Sequence, residues 1–148
     1  MKKILVILLL ACCLLTGCTK ENKKINLNVV ADDLIENIEF EDQLTKLNNK
    51  MTMKLFGINN FKEAIVYTSS GATAEEIALF EFPDKKDVEV AYEKVQNRVE
   101  KQREDYASYL PKELVKLDQA IIIKYRNYIV LCVTSDPSAD KIIGKYFS

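Results

Sequence analysis

Between Asp84 and Pro111 one apolar stripe runs along an otherwise charged segment, and that stripe constrains what the rest of the chain must build. Val88, Tyr92, Val95, Val99, Tyr106 and Tyr109 or Leu110 recur at helical spacing and mark a band about a hundred degrees wide. Lys, Glu, Gln and Arg fill the opposite face. Asp84 is a good N-cap residue, with Asp87 three places on as a weak capping box. Pro111 stops the helix, because the residue before a proline is pushed out of the helical region. A helix with one apolar face needs a sheet or other helices to lie on.

The flanking segments supply that partner. Lys62–Ser69, with Ile65, Val66 and Tyr67, reads as a strand. Ser70–Glu75 is a turn, and Glu76–Phe82 returns as a second strand. Ile77 and Leu79 alternate there with Ala78, Phe80 and Phe82, as in a sheet with both faces partly covered. Beyond the long helix, a turn or short helix at Lys112–Leu117 leads to a strand at Ala120–Tyr125. A tight turn at Arg126-Asn127 follows, with Asn127 suited to positive φ, and Tyr128–Thr134 is the partner strand. Upstream, Asn28 is placed to cap a helix over Val29–Asn37, with Val30, Leu34 and Ile38 on one face. A second helix, Asn49–Phe56, ends on Gly57, a residue suited to a left-handed C′ position. Asp136-Pro137 opens a final helix whose apolar face holds Ile142, Ile143 and Phe147.

The expected class is α+β: a two-layer sandwich with a four-stranded, mainly antiparallel sheet of two hairpins. The long amphipathic helix and a C-terminal helix pack on it, with short N-terminal helices beside them. Each half reads hairpin, acidic cap, helix. That echo fits a duplicated ββα unit or two unrelated units of the same order.

Residues 1–17 read as a lipoprotein signal peptide. Lys2 and Lys3 form a positive head, Ile4–Leu15 is an unbroken apolar run, and small residues precede Cys18. A bilayer core about 30 Å thick needs roughly 20 apolar residues, so the run is too short for a permanent span. Leu15-Thr16-Gly17-Cys18 resembles a lipobox, which makes Cys18 the expected lipid-attachment residue and membrane lipid the expected partner. Each buried acyl CH₂ adds about 0.8 kcal/mol of anchoring. Residues 18–25 are then the lipidated cysteine and a polar tether, and 26–148 a single domain. Cys12 and Cys13 fall in the discarded segment. Cys132, among Ile129, Val130, Leu131 and Val133, is left without a disulfide partner and reads as a small core residue.

With no histidine in the chain, Ser–His, Cys–His and His–metal chemistry are excluded together. Setting aside Lys2 and Lys3 leaves 19 basic side chains against 22 acidic, evenly spread. That balance argues against a nucleic-acid partner and gives no polybasic cluster for anionic lipid. Asp136-Pro137-Ser138-Ala139-Asp140 opens like a calcium loop, but Lys141 stands at the sixth place and Phe147 at the twelfth, so helix capping is the better reading. No metal and no cofactor are expected. Tyr106, Tyr109, Tyr125 and Tyr128 are expected near one end of the long helix, half-buried with wet hydroxyls.

The most distinctive segment is Ser69-Ser70-Gly71-Ala72-Thr73-Ala74-Glu75-Glu76. Its hydroxyls and glycine suit a tight turn, or a cradle whose N–H groups hold an anion or a peptide end. Ser69, Ser70, Gly71, Thr73, Glu75 and Glu76 form the candidate binding loop. Neighbouring strand residues point to opposite faces, so Glu75 and Glu76 make a poor catalytic pair, and no SxxK spacing brings a lysine to the serines.

Laid out in this way, Leu27 to Ile143 resembles the bacterial lipoprotein family known as domain of unknown function 4358. The resemblance is most specific over Tyr67–Phe80. It extends to Leu55-Phe56-Gly57-Ile58, to Gln102–Pro111 with its Tyr109-Leu110-Pro111 end, and to Val130–Asp136. Phe56 stands where the family usually has Tyr, and Arg126-Asn127 where a Gly is common. The resemblance implies a Gram-positive host and the outer face of its cell membrane. The expected function is that of a lipid-anchored, extracytoplasmic, non-catalytic accessory or binding domain at the cell envelope, with an envelope protein as a possible partner. A small solute- or peptide-binding lipoprotein is the alternative.

Overall fold

Every residue of two central strands is buried, and this sets the order of the layers. The computed structural model describes residues 24–148; the signal segment and Cys18 lie outside the described residues. The elements are α1 (Leu27–Asn37), β1 (Thr45–Lys46), α2 (Asn49–Phe56), β2 (Glu63–Thr68), β3 (Glu76–Glu81), α3 (Lys85–Tyr109), a 3-10 turn (Pro111–Glu113), α4 (Leu114–Asp118), β4 (Ile121–Tyr125), β5 (Tyr128–Val133) and α5 (Ser138–Gly144). The sheet is antiparallel throughout in the order β1-β2-β3-β5-β4.

The α+β class and both hairpins are as expected from the sequence. A fifth strand, β1, pairs Thr45 with Thr68 and Lys46 with Tyr67 at the edge of β2. Two exposed residues have no periodicity to betray a strand, hence the expected count of four. The helices also divide between both faces of the sheet, giving three layers in place of two. On one face Ala78, Phe80, Ile129 and Leu131 meet Val88, Val95 and Val99 of α3. On the other, Ile77, Leu79, Val130 and Cys132 meet Leu27, Val30 and Leu34 of α1 with Ile142 and Ile143 of α5. Strands β3 and β5 offer no polar face to water, so covering one side alone would strand the other.

The same division settles the sequence echo. A twofold axis relating two hairpins of one antiparallel sheet runs perpendicular to it and keeps both following helices on one face. Helices α3 and α5 cover opposite faces, so the two ββα segments are not related by such an axis.

Local chemistry fixes the element ends. Asp84 Oδ1 accepts from Lys86 N (2.8 Å) and Asp87 N (3.1 Å), as a cap should. Helix α1 starts earlier than expected: Asn26, in place of Asn28, caps it by accepting from Asn28 N and Val29 N, which brings Leu27 into the core. Gly57 takes the left-handed cap conformation at φ 65°. In the β4–β5 turn the positive φ falls on Arg126 (54°) and not on Asn127. Asn127 is tied to β3, its Nδ2 donating to Phe82 O (3.1 Å) and its carbonyl accepting from Phe82 N (2.8 Å). Asp136 Oδ1 accepts from Ser138 N (2.8 Å) and Oγ (2.7 Å) at the start of α5.

The four tyrosines separate. Tyr106 and Tyr109 lie at the end of α3, while Tyr125 and Tyr128 pack on Phe147 against the other face. Among the described residues no helix is long and apolar enough to cross a membrane.

Candidate functional site

Carboxylates of the chain itself hold the loop between β2 and β3. Ser70 donates to Asp42 Oδ2 through N (2.7 Å) and Oγ (2.6 Å), and Ala74 N donates to Glu113 Oε2 (2.9 Å). Ser69 N donates to Glu75 O, Gly71 N to Ser69 Oγ, Ala72 N to Ser70 Oγ and Glu75 N to Thr73 Oγ1. Gly71 sits at φ 99°, where a side chain would be strained. These bonds occupy the N–H groups of Ser69, Ser70, Gly71, Ala72, Ala74 and Glu75, most of those that the sequence offered to an anion.

Glu75 and Glu76 diverge from this loop, as strand neighbours must. Glu75 is structural. Its carboxylate accepts from Glu41 N (3.0 Å), Asp42 N (3.1 Å) and Thr73 Oγ1 (3.0 Å). Lys116 Nζ lies 3.5 Å from Glu75, 3.1 Å from Glu113 and 2.9 Å from Glu41. Burial alone would pull the Lys116 ammonium down, but the carboxylates of Glu41, Glu113 and Glu75 beside it raise its pKa. This hub joins the 41–42 segment, the loop and α4.

Glu76 faces α3. It is 1 % exposed, and its Oε2 accepts from Arg98 Nη2 (2.7 Å) and Gln102 Nε2 (3.3 Å). Burial pushes its carboxyl above the ordinary value of 4.5, with Arg98 opposing the shift. Three polar atoms of this group are buried with no partner among the described residues: Glu76 Oε1, Gln102 Oε1 and Arg98 Nε. Such atoms carry an unrecovered desolvation cost of about 1–3 kcal/mol each, more for charged groups. All three residues line one cavity of ≈ 420 Å³, within the roughly 300–1,000 Å³ common for small-molecule sites. Ser69, Ser70, Gly71 and Tyr106 complete its walls, and Leu55, Asp105 and Tyr109 line it as well. Tyr106 is fixed by its hydroxyl, which donates to Thr73 O and lies 3.3 Å from Gly71 O.

Of the candidate loop, Ser69, Ser70, Gly71 and Glu76 therefore line the cavity, while Thr73 and Glu75 support it from outside. Arg98, Gln102 and Tyr106 were not among the sequence candidates. A signal existed: Gln102 stands on the apolar stripe between Val99 and Tyr106, where a polar residue is out of place. It is 6 % exposed; of the two residues offered for the end of the stripe, Leu110 packs against the core and Tyr109 is 70 % exposed. Cys132 lies elsewhere; burial, with Asp136 and Glu75 nearby, pushes its thiol up to about 12.

A family model described as a domain of unknown function, DUF4358, matches residues 36–134. The match spans the whole sheet, α3 and every residue lining the cavity. It leaves most of α1 and all of α5 outside. No curated protein and no solved structure matches the chain significantly.

Proposed function

We propose, from the premise that the chain belongs to the DUF4358 family, that it works as a lipid-anchored extracytoplasmic lipoprotein whose domain binds without catalysing. Its ligand site is the cavity over Glu76, Arg98 and Gln102. One observation carries this reading: three of the five buried polar atoms without a partner among the described residues, Glu76 Oε1, Gln102 Oε1 and Arg98 Nε, belong to residues that line one cavity of small-molecule size. Buried polar groups are normally bonded, and an occupant that bonds these three would recover the cost. Between the accessory domain and the small-solute binder left open by the sequence, this cavity weighs towards the solute.

The non-catalytic part is supported by the chemistry present. Histidine is missing, and Arg98 and Gln102 occupy one oxygen of Glu76. Glu75 is held in the opposite network, and the Cys132 thiol is buried and protonated. The anchor rests on Leu15-Thr16-Gly17-Cys18.

Two measurements test the proposal. Metabolic labelling with a palmitate analogue should mark the native protein and leave Cys18→Ala unlabelled in the soluble fraction. Native mass spectrometry of protein taken from its own membranes should show a small-molecule adduct that Gln102→Leu loses. An unlabelled native chain removes the anchor, and an adduct-free native chain removes the binding site.

A further inference from the structure

The geometry points to a neutral, hydroxyl-rich ligand in this cavity, a saccharide or related polyol; this rests on the binding-site reading above and specifies its ligand class. The unpartnered atoms are of mixed kind, with Glu76 Oε1 and Gln102 Oε1 as acceptors and Arg98 Nε–H as a donor. They form one patch, because Arg98 Nη2 and Gln102 Nε2 both bond Glu76 Oε2 and each unpartnered atom belongs to one of those three groups.

Each rival chemistry answers only part of that patch. An anion suits Arg98 but meets the Glu76 carboxylate and Asp105, and the loop N–H groups that would hold it are already bonded. An ammonium suits the two acceptors, but must sit beside the Arg98 guanidinium. An apolar ligand leaves all three atoms unpaired. A hydroxyl both donates and accepts, so two vicinal hydroxyls can satisfy acceptors and donor at no net charge. Tyr109 adds a platform: its ring is 70 % exposed, 6.1 Å from Tyr106, and available to the C–H face of a sugar ring.

Saturation-transfer NMR on the full chain in detergent tests the assignment. The probes are methyl β-glucoside, methyl β-N-acetylglucosaminide, butylammonium and acetate. A saturable signal is expected for at least one glycoside, and none for the ammonium or the carboxylate. Gln102→Leu should weaken glycoside binding at least about fivefold, the worth of one net hydrogen bond near 1 kcal/mol. Tyr109→Ala should weaken it while Tyr109→Phe keeps it, because the ring face and not the hydroxyl makes the contact. Saturable binding of acetate or butylammonium, or silence from both glycosides, overturns the inference. The native adduct separates the two failures: a non-carbohydrate mass sinks the ligand class alone, and no adduct sinks the site.

Discussion

Two buried glutamates, one residue apart, have opposite tasks, and substitution should separate them. Lys116 is the cation that pairs with both buried Glu75 and Glu113 inside the fold. Lys116→Met leaves both carboxylates buried without a countercharge, and should cost about 3–5 kcal/mol in urea unfolding. Glu41→Gln removes only the exposed arm of the same hub and should barely move the midpoint. Glu76 makes a different prediction, set by pH. Its folded pKa is raised above 4.5, so the folded state holds the proton more tightly than the unfolded chain. The stability from this group is fully present below pH 4.5 and is lost as pH rises through the raised value. Glu76→Gln should remove that loss, so wild type should fall relative to the variant as pH rises from 4.5 through the raised value, with a slope of up to about 1.4 kcal/mol per pH unit. A parallel pair of stability curves would refute it. At this scale the lining positions Ser69, Ser70, Gly71 and Glu76 fell within the segment that stood out in the sequence, because hydroxyls and a glycine beside two glutamates suit either a tight turn or a cradle; the burial of Glu76 was not legible there. Arg98 and Gln102 were not, since charged and amide side chains on a long helix are usually solvated, and only packing against β3 reverses that.

At the scale of elements, α3 ties the cavity to the rest of the domain. It is capped by Asp84 beside the β4–β5 turn and delivers Arg98, Gln102 and Tyr106 to the loop at its other end. Asp84→Ala removes the acceptor for two N–H groups and should lower stability by about 1 kcal/mol, read as a shifted denaturation midpoint. The Glu76–Arg98 contact lies well beyond the first turn, so glycoside binding by this variant should be unchanged below its unfolding temperature. Periodicity and capping chemistry made α2, α3 and the two hairpins readable. What escaped was set by tertiary contact. Strand β1 exists only because β2 has an open edge. Helix α1 begins at Leu27 because that side chain has a place in the core. Asn127 yields positive φ to Arg126 because its amide is engaged by Phe82.

For the whole molecule, the direction of the chain matters more than its layers. The described chain begins beside the Glu81 end of β3: Lys24 Nζ is 3.6 Å from Glu81, and Ile25 N donates to Tyr128 Oη at 3.3 Å. The cavity opens at the other end of that strand, over Glu76. Six strand residues at about 3.4 Å each put roughly 17 Å between the two. Helix α3, 25 residues at 1.5 Å, runs about 37 Å from the first end towards the second. If Cys18 carries the acyl chains, the segment to Lys24 spans at most about 22 Å. The attachment point then lies at the β4–β5 end, and the prediction is that this end faces the bilayer and the cavity faces away from it. Single dyes on Arg126→Cys and Tyr109→Cys report this arrangement, because the buried Cys132 thiol does not compete for label. With an acceptor dye in the lipid of reconstituted vesicles, energy transfer should be clearly stronger from position 126 than from position 109. Both signals should vanish when Cys18→Ala is added. Equal transfer from the two positions would mean that the domain lies on its side or tumbles freely. Stronger transfer from 109 would turn the cavity towards the membrane and make lipid, in place of a dissolved polyol, the ligand to test next.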